Sequence, residues 1–321
     1  MGFSMPKGLG LAAAAGLTSG LVTLSVMSGG GGLGMLLAYV TPLPLALVGL
    51  AFGFVPALTS LATGALVLTV AEWTAVPPFL AIGAIPALLV TAVALRGRRG
   101  DDGKIGWMRP GPMLLSLALV ATVMMALAVL SFQIEGKGIE GWLREQATPF
   151  VEQAVPAAPD ELKSAIVGLM AAILPAMVGL AWLAMTLVNG LFAQWVVTRA
   201  GWALRPTPDY VDLRLPLWLA PAAGLVAAAS LVGGDIGYLA RNTAILLMAP
   251  YLVSGLVDVH VSLRGKPMAA LWLAVFYGVF FALSGWAAIA VTVWGVVRQW
   301  MRSRRSEAAS DQENENGSHS A

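Results

Sequence analysis

Long apolar runs, each interrupted by glycine, proline or a short charged stretch, set the pattern of this chain. They fall at residues 9–28, 33–51, 54–72, 76–95, 111–132, 164–198, 216–233, 238–260, 268–283 and 286–300. Roughly 20 apolar residues in helical geometry cross the hydrocarbon core of a bilayer. Inside lipid only helices and closed barrels satisfy their own backbone. No run shows the in–out alternation of a barrel strand. The pattern therefore predicts an all-α, polytopic transmembrane helical bundle of about ten spans, or about eight if the short segments are re-entrant. One membrane domain is expected over 1–300, followed by a disordered tail over 301–321, whose polar residues have little to bury.

Between the fifth and sixth runs lies a polar, acidic segment, 133–162, expected outside. If helical, it puts Ile139, Trp142, Leu143, Gln146 and Phe150 near one face, which suits a helix lying at the interface. A solvated connector fits the same residues. Asp160 is placed to cap the sixth helix. Gly16 with Gly20, and Gly49 with Gly53, are small-xxx-small pairs that let helix backbones approach. On the sixth run Gly168, Pro175, Gly179, Trp182, Thr186 and Asn189 share a narrow arc, which predicts a face turned toward other helices. Trp73, beside Glu72, reads as an interfacial anchor.

Composition sharpens the class. The chain is 58% hydrophobic and 11% charged, whereas a soluble domain is about a quarter charged. The net charge of +2 leaves no nucleic-acid footprint, and the absence of cysteine excludes disulfides and thiolate metal sites. Basic residues orient the bundle. With the N-terminus inside, 15 of the 19 Lys and Arg fall on the cytoplasmic side, among them Lys7, Arg96–Lys104, Arg264, Lys266 and Arg298–Arg305. Lys137, Arg144, Lys163 and Arg241 fall outside. Both termini are then cytoplasmic. The same rule makes 268–297 a hairpin turning at Ser284–Gly285–Trp286, since one long tilted helix would carry the Arg-rich tail outside. The first run, after Lys7, reads as a retained helix rather than a cleaved signal.

Candidate chemistry is sparse. There is no GxxxxGK[ST], HExxH, nucleophile elbow or Cys/His cluster. Gly29–Gly32 has no strand before it and no lysine after it. One of the two histidines, His319, lies in the tail. No catalytic residue, metal or cofactor is assigned; an enzyme would have only Asp258, His260, Glu72 or Tyr39 to use. Polar groups at membrane depth are costly and mark sites or helix contacts. On the eighth run Thr243, Tyr251, Ser254 and Asp258 lie within a quarter turn, while Asn242 and His260 share another face. Pro250 frees the carbonyl of Leu246. Tyr39 and Thr41 precede Pro42 and Pro44, a second break whose freed carbonyls need partners. Asn189 is a third polar point. The candidate substrate-binding set is thus Tyr39, Thr41, Asn189, Tyr251 and Ser254, with Asp258 and His260 as a secondary polar site. Either the three points converge on one cavity, or each is a separate helix–helix hydrogen bond. Asp258 and His260 are expected at the cytoplasmic interface, and Asn242 at the outer one. Two functions follow: a non-enzymatic module that binds or moves a small molecule, or a scaffold that recruits protein partners through the basic segments 96–109 and 298–321. Lipid is the surrounding partner in both.

LAYVTPLPLALVGLAFG at 37–53, VNGLFAQWVVTRAGW at 188–202, DLRLPLW at 212–218 and LVDVHVSLRGKP at 256–267 resemble the YybS-like family of predicted bacterial membrane proteins. So does the final apolar hairpin with Gly285–Trp286. The resemblance covers most of the chain outside 96–165 and the tail, and implies a multi-pass protein of the bacterial inner membrane with no established activity. That family is distantly similar to substrate-binding subunits of vitamin transporters and to the rod-shape protein MreD. Such subunits dock on an energising module through an Ala-xxx-Ala face, which Ala12–xxx–Gly16 matches approximately.

Overall fold

The computed structural model describes residues 5–29, 31–131 and 138–318. Helices α1 (Met5–Met27), α2 (Gly31–Val40), α3 (Pro42–Phe52) and α4 (Phe54–Ala71) follow one another closely. A 3-10 turn (Trp73–Ala75), a short α5 (Val76–Pro78), a π-helical turn (Phe79–Ala84) and α6 (Ile85–Ala94) make up the next span. Strands β1 (Gly97–Arg99) and β2 (Ile105–Trp107) lead to α7 (Pro110–Ser131), α8 (Gly138–Ala154) and α9 (Asp160–Arg199). Then come a 3-10 turn at Tyr210–Asp212, α10 (Leu219–Ala229), α11 (Gly234–Leu263), α12 (Ala269–Leu283) and α13 (Gly285–Ser318).

Every predicted run coincides with helix, but not every run forms a helix long enough to be recognised as a span. Among the described residues six helices are long and apolar enough to cross a membrane, or seven if α12 and α13 count as one. Leu36–Phe52 and Leu219–Val232 are shorter apolar helices. With 11 residues, α3 is only about 16 Å long, roughly half of a hydrocarbon core near 30 Å. The expected hairpin at Ser284 appears as a 119° bend between α12 and α13, at a residue with φ of +46°.

The all-α expectation misses one ribbon. The basic stretch after α6 forms antiparallel β1 and β2, with Arg98 opposite Gly106. Its turn closes through Gly103 N–H to Gly100 O, with Gly103 at φ +75°, so Asp-Asp-Gly acts here as hairpin chemistry. The helix α13 also runs on through Ser318, over the stretch expected to be a disordered tail. An apolar helix start lets propagation proceed cheaply through good helix formers such as Glu307, Ala308 and Ala309. His319 lies outside the described residues, as do 132–137 and Gly30.

The chain divides into two compact units, Met1–Arg109 with Ala181–Pro208, and Pro110–Leu180 with Asp209–Ala321. The first unit is built on glycine contacts. A Cβ on Gly16 would collide with the carbonyl oxygen of Ser60 on α4, and one on Gly20 would lie 3.4 Å from Gly64 O. Gly49 packs on Thr91 of α6. Its predicted partner Gly53 does something else: at φ +98° it turns the chain between α3 and α4. Ala12 is fully buried, so the Ala12–Gly16 face is consumed inside the unit instead of being offered to another protein. Gly16→Ala is expected to push α1 off α4 and cost about 1–3 kcal/mol, read as a lower melting temperature in detergent. Gly10→Ala, with nothing within 4 Å, should leave it unchanged.

In the second unit α11 and α13 approach through Gly255 against Val291 O and Gly295 against Tyr251 O. Helix α8 is the expected amphipathic segment, with its stripe shifted by one position. It buries Leu143, Ala147 and Val151, at i, i+4 and i+8, against Val167 and Ala171 of α9 and Tyr238. Phe150, grouped with Leu143 on one face by the sequence, is 62% exposed, because the 3.6-residue period carries Val151 rather than Phe150 onto the packed stripe. Asp160 begins α9 and sits in its first turn, one place inside the expected cap, where its charge still favours the helix N-terminus.

Candidate functional site

Prolines open the backbone of these helices, and side chains from other helices close it again. In the first unit the break before Pro42 leaves carbonyls without helical partners. Asn189 Nδ2 donates to Tyr39 O at 2.7 Å and to Met185 O at 2.8 Å. Ser19 Oγ donates to Thr41 O at 2.9 Å, and Thr41 Oγ1 to Leu37 O. Asn189 and the 39–44 break do therefore meet, as one of the two sequence readings required. They meet as a helix contact. The Tyr39 side chain itself is 54% exposed and turned away, while Thr41 and Asn189 are buried. A further closure was invisible in the sequence. At the π-helical turn Ile85 N–H bonds to Leu80 O. In that register Ala81 O needs a donor from residue 86, which is proline. Trp182 Nε1 supplies it at 2.8 Å.

Arg205 closes this unit at its basic ribbon. It is 5% exposed, and donates Nη1 to Ala94 O at 2.7 Å, Nη2 to Met108 O and Nε to Pro206 O. A cation on the last carbonyls of α6 suits the helix dipole. Expected merely as one more positive-inside residue, Arg205 instead ties α6 to the end of β2. Outside the spans, Glu72 caps the following turn: the Thr74 hydroxyl and the Thr74 N–H both donate to its carboxylate and hold its pKa below the usual value.

In the second unit Asn242, expected at the outer end of its span, is fully buried among helices. Its Oδ1 accepts from Ala176 N–H at 2.9 Å, and its Nδ2 donates to Ala172 O at 3.1 Å. The amide thus stands in for the missing i to i+4 bond of α9 beside Pro175. One turn earlier on α11, the Tyr238 hydroxyl donates to Ala171 O at 2.9 Å, the carbonyl that Pro175 cannot serve. This explains the polar and proline positions in the predicted arc of α9, along with Gly179 packed on Leu246.

Tyr251, Ser254 and Asp258 lie on the face of α11 that meets α10 and α13. Tyr251 is 2% exposed. Ser254 Oγ accepts from Gln299 Nε2 at 2.9 Å, and the same nitrogen donates to Leu213 O at 2.7 Å. Leu215 N–H returns a bond to Gln299 Oε1. Asp258, whose side chain is 3% exposed, pairs with Arg298 at 3.4 Å and with Arg302. Asp258, expected at the cytoplasmic end of its helix, is a buried anion held by two arginines, as a buried charge must be. Gln299 and Arg302 were missed because their partners lie about twelve turns of sequence away.

His260, two residues on, points elsewhere, since 200° of helix separates the two. Asp258 and His260 form no dyad. His260 lines an open groove of about 480 Å³ between α11, α12 and the Tyr210–Asp212 turn. From α11 come Val253, Val257 and Val261; from α12, Ala269 and Leu273; Arg264 stands at the mouth. Tyr251 and Ser254 are not among its walls. The predicted polar set is thus divided: Tyr39, Thr41 and Asn189 belong to the first unit, and Tyr251, Ser254, Asp258 and His260 to the second. Among the described residues no three His, Asp or Glu side chains cluster as metal ligands, and no buried side-chain polar atom lacks a hydrogen bond.

A family model described as "Predicted membrane protein (DUF2232)" matches residues 16–297. No curated protein and no solved structure matches the chain.

Proposed function

We propose that this chain, which belongs to the DUF2232 family of predicted membrane proteins, is a non-enzymatic multi-pass module that binds a small molecule in the groove between α11 and α12. One observation carries this. The groove is an open space of about 480 Å³ with mostly aliphatic walls, inside the range of about 300–1,000 Å³ usual for ligand sites. The buried polar groups of Thr41, Asn189 and Ser254 are already spent on backbone and side-chain partners. A ligand at those points would have to break those bonds first. The finer likeness to YybS-like proteins, carried by 37–53 and 256–267, accords with a binding role through its distant relation to transporter substrate-binding subunits.

Filling the groove tests the proposal. Val257→Trp and Leu273→Trp place large rings where the ligand would lie. Protein purified in mild detergent is extracted, and its co-purifying small molecules are compared by mass spectrometry. The wild type is expected to carry a component that both variants lose. An unchanged extract from both variants would sink the binding role.

Orientation with both termini in the cytoplasm of a bacterial inner membrane belongs to the same proposal. The cysteine-free chain makes it simple to check. Single cysteines replacing Ser303 and Gly265 should react only from the cytoplasmic side, and one replacing Glu145 only from outside. The exposed, basic β1–β2 ribbon favours a second reading, recruitment of an acidic partner. Charge reversal at Arg98 and Arg99 would then abolish a crosslink formed from residue 104.

A further inference from the structure

We infer that the groove holds the hydrocarbon chain of a membrane lipid whose headgroup is anionic; this deepens, and rests on, the binding role proposed above. The aliphatic part of the walls disfavours a polar metabolite. Its hydrogen-bonding groups would face Val253, Val257, Val261, Ala269 and Leu273 unpaired, at the usual cost of burying polar atoms without partners. A hydrocarbon chain has no such groups.

The polarity of the groove changes along α11. Val253, Leu256 and Val257 are followed by His260, then by Val261 and Leu263, and the helix ends at Arg264, its C-cap. From 253 to 264 the helix rises roughly 16 Å, a length suited to a chain lying along it with its headgroup at the basic end. Long basic side chains at a span's end reach the phosphate level of the bilayer. Lys266, two residues further on, is exposed as well.

Among the described side chains no carboxylate pairs with Arg264. No Asp or Glu lines the groove. Asp258, the acidic residue of α11 nearest to Arg264, is committed to Arg298 and Arg302. Asp209, beside the turn that forms one wall, accepts from Val211 N–H. His260 also lines the groove. Its Nδ1 lies 2.9 Å from Leu256 O, and a carbonyl can only accept, so Nδ1 carries the proton and Nε2 is left as the ring's other polar atom. A phosphate or other anionic headgroup complements this mouth. A neutral lipid would use the walls and leave the guanidinium idle.

The test uses full-length protein in detergent, offered equal amounts of phosphatidylglycerol and phosphatidylcholine, with retained lipid read by native mass spectrometry. The wild type is expected to retain phosphatidylglycerol in preference. Arg264→Gln should lower that preference about fivefold, the equivalent of one basic residue near a headgroup, with an unchanged melting temperature because Arg264 is exposed. Arg264→Lys should keep most of the preference, and excess inorganic phosphate should displace nothing. Equal retention of the two lipids by wild type, with both lost in Val257→Trp, would overturn the anionic class and leave the binding role standing. Retention unaffected by Val257→Trp would overturn both. A preference untouched by Arg264→Gln, or lipid displaced by phosphate alone, would overturn the headgroup assignment.

Discussion

Asn242→Leu is expected to destabilise the second unit by about 2–4 kcal/mol, an order set by leaving a buried N–H and a buried C=O unpaired and tempered by the smaller side-chain hydrogen-bond energies found in membranes. The substitution keeps volume and raises hydrophobicity, so by burial alone it would stabilise a lipid-embedded helix. Its cost comes from the three bonds that the amide makes, to Ala176 N–H, Ala172 O and Tyr238 O. Unfolding in a denaturing detergent measures it, and a change below about 0.5 kcal/mol, the size of ordinary surface effects, would show that the amide does not close the ladder of α9. A cycle with Pro175 isolates the cause. Tyr238→Phe removes the donor to Ala171 O and is expected to cost about 1 kcal/mol. In a Pro175→Ala background the helix has its own N–H for that carbonyl, so Tyr238→Phe should become close to neutral. Equal costs in the two backgrounds would reject the idea that Tyr238 repairs the proline gap.

The second large effect is expected at Asp258. Asp258→Asn leaves Arg298 and Arg302 facing each other without their anion. Breaking a fully buried pair costs about 3–5 kcal/mol. Here the arginine side chains are 35% and 25% exposed, and water screens part of the interaction, so about 2 kcal/mol is the expected loss. The readout is local. Asp258 and the Gln299 bonds join α13 to α11 and to the Leu213–Leu215 strand of chain. Trypsin should then cut at Arg298–Arg304 markedly faster in Asp258→Asn than in wild type. Ser254→Ala should have a smaller effect, because Gln299 keeps its bonds to Leu213 O and Leu215 N–H. Equal cleavage rates in wild type and Asp258→Asn would mean that the ion pair does not anchor the helix.

Much of the fold was legible because membrane constraints are local. Twenty apolar residues in a row need no tertiary information to be recognised as a span, and Gly16 and Gly20 announced a close helix approach that Ser60 and Gly64 complete. The bend at Ser284 lies where the distribution of arginines predicts a turn. The span count was less legible. Runs 33–51 and 216–233 have the composition of spans, but Pro42 and Gly53 cut the first into short helices, and α10 ends after 11 residues. The ribbon at 97–107 was not legible because its three-residue strands carry no apolar alternation and are defined only by their pairing across the Gly100–Gly103 turn.

The candidate site was legible only as a set of questions. Sequence marked Thr41, Asn189, Tyr251, Ser254 and Asp258 as polar groups needing partners, and the need is local physics: such groups cannot stay bare in lipid. Who answers is not local. Asn189 finds Tyr39 O across 150 positions, Trp182 finds Ala81 O across 101, and Asn242 finds Ala176 N–H across 66. Composition and periodicity hold no record of such pairings, because a side chain reaches only what tertiary packing brings within about 3 Å. The sequence by itself thus determined that this is a multi-pass helical membrane protein whose prolines open the backbone at definite points. Only the tertiary structure decided that side chains close those points, and that the open space lies instead along the aliphatic face of α11 that ends at His260 and Arg264.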